Sequence, residues 1–259
     1  MVPAPEFESY YGKQIIKTPT WKTPDVPLYL FLGGMAGASA VLAEGAAVTG
    51  NEPLERVARI AAASGAGLGT VFLVHDLGRP ERFLHMLRVI KVTSPLSVGS
   101  FILAPFSALS SAAAASYVTG RLPRLGRLAG AGAALFGPAL ATYTAALLSN
   151  TAVPAWHEAH RELPFVFAGS GASAAGGLAM LLTPAAQNLP ARRIAIAGAA
   201  VELTAAELLK RRLGMVAEPY QQGRPGLLMR TASRMTAGAA VLSALGGRSR
   251  VVSALCGAT

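Results

Sequence analysis

The sequence predicts an all-α membrane protein, a polytopic bundle of about seven or eight transmembrane helices. Of its 259 residues, 52% are hydrophobic and only 14% are charged, whereas about a quarter of the residues are charged in an ordinary soluble domain. The apolar residues come in runs of about twenty, the length that a helix rising 1.5 Å per residue needs to cross about 30 Å of hydrocarbon. Short charged or proline-rich stretches separate the runs.

Six runs are predicted to span the membrane, and a seventh follows with a weaker apolar pattern. In chain order the predicted spans are Pro27–Thr49, Leu54–His75, Val98–Thr119, Leu128–Asn150, Glu162–Pro184, Arg192–Leu213 and the weaker Leu227–Leu245. The apolar stretch that begins at Val251 is too short to cross a membrane. We interpret it as the start of an eighth helix that continues past the given residues.

Small residues crowd these spans, as in LGGMAGASA and AGSGASAAGG. Lipid supplies no hydrophobic force between helices, so small residues that let two backbones approach are the main packing device. Gly33 and Gly37 are therefore expected to lie on a helix contact. Gly65, Gly67 and Gly69 lack the spacing of a dinucleotide-binding loop.

The net charge of +10 comes from basic residues at the ends of the spans. Lipid head groups and snorkelling side chains explain that placement, so membrane lipid is the expected partner and nucleic acid is not. Lys and Arg are more numerous on the side of the N-terminus, which favours an inside N-terminus. Most acidic residues lie on that side too, so the orientation stays open.

The chain offers few ligands for a redox centre. Cys256 is its one cysteine, so Cys residues of this chain alone cannot hold an iron–sulfur cluster. A membrane haem needs imidazoles on facing helices, whereas the histidines fall in connections or at a helix end. Two imidazoles in HEAH lack the third ligand of a metal site. The four histidines in question are His75, His85, His157 and His160. We therefore expect this chain to hold no haem, no iron–sulfur cluster and no metal ion.

Glu44, Glu202 and Glu207 fall inside predicted spans, where an ionisable group costs roughly 2.5–3.5 kcal/mol and is a functional candidate. Glu202 and Glu44 are the main candidates for a proton path, and Glu207 is the weakest. Glu202 or Glu207 could instead be a protonated, hydrogen-bonded packing group. Glu207 lies close enough to Lys210 and Arg211 to form an ion pair at a helix end.

The connection after the second span, HDLGRPERFLHMLRVIKVTSPLSVGS at 75–100, carries apolar residues interleaved with basic ones. That pattern predicts an amphipathic helix on the membrane surface, with Pro95 at the entry to the third span. Asp76 and Arg79 are close enough in sequence to pair and clamp the loop.

Two blocks of the sequence resemble the NrfD-like family, the quinone-interacting membrane subunits of polysulfide reductase and related molybdopterin oxidoreductase complexes. DLGRPERF followed by SPLSVGSFIL is similar to the family's signature between its second and third helices. YTAALLSNTAVPAW and the following LPFVFAGSGASAAGG look like its fourth and fifth helices, and PLYLFLGGMAGASA fits its first. The similarity runs from about Tyr29 to Pro184.

The resemblance implies a subunit, not catalytic alone, that exchanges electrons and protons with menaquinone or ubiquinone. It implies an iron–sulfur partner subunit with several [4Fe–4S] clusters, bound in turn to a molybdopterin-type catalytic subunit. The bacterial cytoplasmic membrane is the expected location. Electrons would come from that partner, because this chain has no expected electron carrier.

The family's quinone pocket lies between its first four helices, near the end where the first helix begins and the second and fourth finish. Carried onto this sequence, the resemblance implies that Tyr143 and His75 donate to the quinone carbonyls and that Asp76 orients and recharges His75. Tyr143 could instead be an aromatic of the membrane interface. The implied quinone-binding residues are Tyr143, His75, Asp76, Tyr29 and Asn150.

Residues 1–26 and the connection after the second span are expected to dock the iron–sulfur partner, ahead of one transmembrane domain over 27–259. The docking candidates are Arg79, Arg82, Arg88, Trp156, His157 and Trp21. Two other functions stay open. Glu44 and Glu202 would also suit a proton- or ion-translocating transporter, although no internal repeat is visible, and the chain could be a purely structural membrane anchor.

Overall fold

The computed structural model describes residues 21–77 and 79–245, and within this part every regular element is helical. The predicted all-α fold is confirmed. Short 3-10 turns at Pro80–Leu87, Glu158–Arg161 and Gly214–Ala217 join the α-helices. The α-helices are α1 (Asp25–Val48), α2 (Glu52–Asp76), α3 (Pro95–Thr119), α4 (Pro123–Ser149), α5 (Pro154–His157), α6 (Leu163–Leu182), α7 (Leu189–Leu213), α8 (Glu218–Gln221) and α9 (Gly223–Leu245).

Five of the described helices are long and apolar enough to cross a membrane, namely α1, α2, α3, α4 and α6. They match the first five predicted spans, so this is an integral membrane protein. The sixth and seventh predicted spans correspond to α7 and α9, which have 25 and 23 residues. Neither is among the helices that meet the same criteria of length and apolarity, and both pack into the same bundle. The apolar stretch at Val251 lies outside the described residues.

Several helices begin with a proline, which is tolerated in the first turn because the first amide hydrogens of a helix have no partner there. Pro95 opens α3 and Pro123 opens α4. The fourth helix therefore begins five residues before the predicted Leu128. At the N-terminus of α3, the Ser94 side chain also accepts a hydrogen bond from the Ser97 amide over 3.4 Å.

Helix α1 lies at the centre of the bundle, in contact with α2, α4 and α6. Of its most apolar 18-residue window, 67% is buried inside the protein, against 33–44% for the other four spans. Successive helices pair as neighbours, α1 with α2, α3 with α4 and α6 with α7. Because α1 and α2 run in opposite directions, the start of α1 meets the end of α2.

Glycines make the closest helix contacts, as predicted for lipid. In α1, Gly37 lies against the backbone of Gly137 in α4, and a Cβ on either residue would collide with the other's carbonyl oxygen. A Cβ on Gly198 of α7 would lie 2.6 Å from the carbonyl oxygen of Gly169 in α6. Gly33 is buried and lies on the contact with α2, where a Cβ on Gly69 would come 4.0 Å from the backbone nitrogen of Gly33.

The connection between α2 and α3 runs along the surface of the bundle. Where an amphipathic surface helix was predicted, the chain forms a 3-10 helix over Pro80–Leu87. The exposed apolar residues of the whole connection include Leu84, Val89 and Ile90. An apolar surface segment at the end of a membrane bundle is typical of chain that lies on the lipid interface.

Candidate functional site

The imidazole of His75 and the carboxylate of Asp25 form a hydrogen bond at one end of the bundle. His75 Nδ1 lies 2.7 Å from Asp25 Oδ2. Asp25 is the first residue of α1 and His75 is in the last turn of α2. An ionised carboxylate only accepts hydrogen bonds, so Nδ1 carries the proton and Nε2 is left available. The histidine side chain is 73% exposed while that of Asp25 is 8% exposed, which leaves the imidazole at the mouth of the site.

Asp76 does not hold the imidazole in this structure, and that prediction is corrected. Its Oδ1 accepts a hydrogen bond from the backbone amide of Lys22 over 2.8 Å. The Lys22 ammonium donates to the carbonyl of His75 over 3.0 Å. Asp76 therefore fastens the chain that leads into α1 onto the end of α2, and Arg79, its predicted partner, is exposed.

Sequence reasoning missed Asp25 because it lies 50 residues before His75. A signal was nevertheless present. Asp25 precedes the first apolar run, His75 ends the second, and two successive spans joined by a short loop must be antiparallel neighbours.

Tyr29 lies one helical turn after Asp25 on the same face of α1. It is only 2% exposed and packs in a core cluster with Leu73 of α2, Phe106 of α3 and Leu140 of α4. Its hydroxyl is buried and has no hydrogen-bond partner among the described residues. Burying a hydroxyl without a partner costs roughly 1–3 kcal/mol. A bound molecule with a hydrogen-bond acceptor at Tyr29 Oη would remove that cost.

Tyr143 of α4 packs against the same cluster and is half-buried. Its ring lies on Gly99 of α3, so closely that a Cβ on that glycine would collide with the ring. Gly99 belongs to SPLSVGSFIL and Tyr143 opens YTAALLSNTAVPAW. The two blocks that carry the family resemblance therefore meet in space at this contact.

Trp21 and Trp156 stack on each other at the same end of the bundle. Their ring centroids are 5.8 Å apart and the rings are 11° from parallel. One face of each indole ring therefore packs against the other ring and is not available to a partner subunit. The docking prediction did not include this contact. His157 Nδ1 donates to the carbonyl of Ser149 over 2.9 Å, and Asn150 is exposed at the end of α4, about 10 Å along the helix from Tyr143.

The loop that carries Trp156 is fastened to the later helices by two long-range contacts. Arg212 of α7 forms a two-pronged ion pair with Glu162, with Nε–Oε1 and Nη2–Oε2 distances of 2.6 Å. The hydrogen bond from Arg212 holds the pKa of Glu162 below its ordinary value. The Tyr220 hydroxyl donates to the carbonyl of Ala155 over 3.0 Å, and burial raises the Tyr220 pKa to about 12.

The docking candidates Arg79 and Arg88 are exposed in the connection between α2 and α3. That connection begins at the end of α2, where His75 lies, so both arginines belong to the same end of the bundle. The side chain of Arg82 and residues 1–20 lie outside the described part of the chain.

Glu44 lies at the other end of α1, about 28 Å along the axis from Asp25. It belongs to a charged cluster around Arg59 of α2, whose side chain is 6% exposed. Arg59 Nε donates to Glu55 over 2.7 Å and Nη2 lies 3.4 Å from Glu44 Oε2. Gly130 of α4 makes room for the guanidinium, because a Cβ there would collide with Nη1. Glu44 is thus an ion-paired group.

Glu202 lies in the middle of α7 and lines a cavity of about 580 Å³ between α1, α6, α7 and α9. Its carboxyl group has no hydrogen bond or ion pair with any described residue. Glu207 differs, because Arg211 Nε donates to it over 2.9 Å at the exposed end of α7. The predicted ion pair at the helix end is confirmed.

Comparison with known proteins agrees with the resemblance in the two blocks. The family model described as polysulphide reductase, NrfD, matches residues 15–210. None of the curated proteins matches the chain. The matched range contains α1 to α6 and most of α7, and it includes Asp25, Tyr29, His75 and Tyr143. Since the match covers well over half of the chain, this protein belongs to the NrfD polysulphide reductase family.

Proposed function

We propose that this chain is the quinone-binding subunit of a multi-subunit oxidoreductase in a bacterial cytoplasmic membrane. The family supports a membrane subunit of an oxidoreductase complex. The observation that carries the finer proposal is the His75–Asp25 hydrogen bond at the end of the bundle that also holds Tyr29 and Tyr143. These residues supply hydrogen-bond donors and a proton-exchanging group next to an apolar core.

The donor set fits a quinone, meaning menaquinone or ubiquinone. A bound quinone supplies the redox chemistry, in which two electrons and two protons are taken up or released. Its carbonyl oxygens only accept hydrogen bonds. Tyr29 has a buried hydroxyl that donates to no acceptor among the described residues. Tyr143 supplies a second phenol, fixed by the backbone of Gly99.

His75 is proposed to move the protons. Asp25 holds the proton on Nδ1 and so directs Nε2 away from α1. An exposed imidazole with a buried carboxylate partner exchanges protons between solvent and a bound molecule, because the carboxylate stabilises the imidazolium that forms. Asn150 stays a predicted contact near the mouth, and Asp76 is proposed to hold the entry of α1 in place.

The partner for electrons is proposed to be an iron–sulfur subunit with [4Fe–4S] clusters, bound in turn to a molybdopterin-type catalytic subunit. The proposed docking face is the end of the bundle that carries Arg79, Arg88, His157 and the Trp21–Trp156 stack. The Glu162–Arg212 pair supports this role, because it holds the connections of that face in one arrangement.

The proton path through Glu202 and Glu44 stays a prediction. Replacing Glu44 by Gln would test its part, measured as the proton-to-electron ratio of the complex in vesicles. An unchanged ratio with an assembled complex would remove Glu44 from the path and leave it the packing role of an ion pair with Arg59.

The main experiment uses the intact complex, purified from membranes with each variant of this chain. His75→Ala, Tyr29→Phe and Tyr143→Phe are each expected to lower quinone turnover by about five- to tenfold, since one lost hydrogen bond to the reacting group is worth about 1–1.5 kcal/mol. Tyr117→Phe is the matched control, because the Tyr117 hydroxyl donates to Glu52 at the opposite end of the bundle.

Assembly is checked by the stoichiometry of the purified subunits. Full turnover in all three variants, in complexes of normal composition, would overturn the site. Transport of protons or ions by the purified chain alone in liposomes would favour a transporter. Bound quinone in the complex would exclude a purely structural anchor.

A further inference from the structure

A cavity separate from the Tyr143 region opens between α1, α6, α7 and α9. Its volume of about 580 Å³ falls in the range of small-molecule sites, roughly 300–1,000 Å³. The lining is mostly alanine, glycine, methionine and leucine, with Phe31 from α1. Glu202 is its one ionisable lining group, beside the hydroxyl-bearing Ser170, Ser173, Thr236 and Ser243.

Glu202 lies well inside the membrane. A Cβ on Gly169 would be 2.5 Å from the backbone nitrogen of Glu202, which puts the two residues at the same depth. Gly169 is six residues, or about 9 Å, past the start of the spanning helix α6. Side chains tilt towards the N-terminus of their own helix. For α7 that direction leads deeper into the bundle, because α7 runs opposite to α6.

The carboxyl of Glu202 has no partner in the described part of the chain, although a partnerless polar group at this depth is costly. A carboxylic acid costs less there as the neutral acid than as the carboxylate, and the neutral acid has an O–H to donate. The cavity is therefore mostly apolar and offers a carboxylic acid donor alongside the hydroxyl groups of its serine and threonine residues.

The depth restricts what could accept that hydrogen bond. The polar groups of a phospholipid lie at the border of the hydrocarbon, and its acyl chains carry no acceptor. A ligand that reaches Glu202 must bring an acceptor into the hydrocarbon itself. A quinone does so, because its ring carbonyls travel with a fully apolar tail.

A smaller cavity of about 190 Å³ shares Phe31 and Ser170 with the first and continues beside Gly34 of α1 and Ala141 of α4. In the other direction the lining follows α6 from Ser170 to Leu181, about 16 Å along the helix. The lining of the first cavity therefore extends along much of α6, the direction in which an isoprenoid tail would lie.

We infer that this cavity is a second quinone site, in which Glu202 binds a ring carbonyl and the apolar lining of α6 and α9 holds the tail. The inference rests on the proposed function only in taking quinone as the mobile substrate of this chain. The site lies on another part of the bundle from Gly99 and Tyr143, so the two sites are separable by mapping.

The test is photolabelling of the intact complex in membranes with an azido-quinone, followed by peptide mapping. Label is expected in two places, in α3 or α4 peptides near Tyr143 and in α7 or α9 peptides near Glu202. Ala239→Phe fills the second cavity from α9, and its matched control Ala244→Phe lies on the same helix outside the lining. Glu202→Gln keeps a donor, whereas Glu202→Leu removes it.

Labelling of α7 and α9 should fall about tenfold in Glu202→Leu, the loss expected for one hydrogen bond, and at least as much in Ala239→Phe. It should persist in Glu202→Gln, Ala244→Phe and Tyr143→Phe. Two results would overturn the second site and leave the proposed function intact. One is label confined to α3 and α4. The other is labelling of α7 and α9 that is unchanged by Ala239→Phe and Glu202→Leu.

Label confined to α7 and α9 supports the second site and removes the Tyr143 site instead. Absence of label from the whole chain overturns both. A photoreactive phospholipid is the last arm: if it labels α7 and α9 with the same dependence on Glu202, the cavity is a lipid site and the inference is wrong.

Discussion

The ring of Tyr143 in α4 lies against the backbone of Gly99 in α3, with no space for a Cβ between them. This contact decides where the phenol hydroxyl of Tyr143 points. A small residue at position 99 is therefore a condition for the proposed donor geometry, although Gly99 itself has no group that could bind a quinone.

Gly99→Ala is expected to displace the Tyr143 ring and lower quinone turnover of the complex by about tenfold to a hundredfold, because a misplacement of about 1 Å can cost a factor of a hundred. The measurement is steady-state turnover with a soluble quinone analogue. Gly67→Ala in α2 is the matched control, since a Cβ there meets nothing within 4 Å outside its own helix. Equal turnover in the two variants would contradict the role of the contact.

Asp25→Asn is expected to lower quinone turnover by about tenfold or more, because a hydrogen bond to a charged group contributes about 1.5–3 kcal/mol. The amide no longer stabilises an imidazolium on His75. Asp76→Asn is the comparison, and it should retain most of the turnover because Asp76 bonds to the Lys22 amide. The reverse order of the two variants would restore Asp76 as the partner of His75.

Stability of the complex should depend on the Glu162–Arg212 pair only above acidic pH. The pKa of Glu162 is lowered in the folded protein by the hydrogen bond from Arg212. A carboxyl with a lowered pKa contributes stability above its ordinary value of 4.5, and loses it as the pH falls through the folded value.

The melting temperature of Arg212→Gln should therefore fall below that of the wild type at pH 7, and the difference should shrink in acid. Arg211→Gln breaks the exposed pair with Glu207 and is the control. Its effect should be near zero, because exposed ion pairs contribute about 0–1 kcal/mol. If the difference in melting temperature between Arg212→Gln and the wild type did not change with pH, this explanation would be wrong.

Gly130→Ala is expected to destabilise the bundle by about 1–3 kcal/mol, the usual cost of overpacking. The new Cβ would push Arg59 away from Glu44 and Glu55. Thermal unfolding of the purified complex measures the change. Gly45→Ala in α1 is the control, since its Cβ would meet nothing within 4 Å outside its own helix. Arg59→Ala should cost more, about 3–5 kcal/mol, because it leaves two carboxylates unpaired.

The helical content of the fold could be read from the sequence, because apolar runs of membrane length leave few alternatives. The ends of α1 and α2 were predicted within two residues, and His75 was placed at a helix end. Tyr29 and Tyr143 were also predicted as site residues, and the structure brings them against one core cluster.

The partners of these residues could not be read from the sequence. Asp25 and His75, like Glu162 and Arg212, lie 50 residues apart and meet only after the helices pack. In helices that are apolar on every side, the pattern does not reveal which face turns towards a neighbour. The stack of Trp21 on Trp156 and the burial of Arg59 were missed for the same reason.

The central position of α1 also has a mechanical consequence. Its glycine contacts join α1 to α4 and α6 backbone to backbone, so none of these helices slides without collision. Helix α9 contacts mainly α7 and α8 and makes no such contact with α1. The wall that α9 contributes to the Glu202 cavity therefore lacks, among the described residues, the glycine backbone contacts that join α1 to α4 and α6.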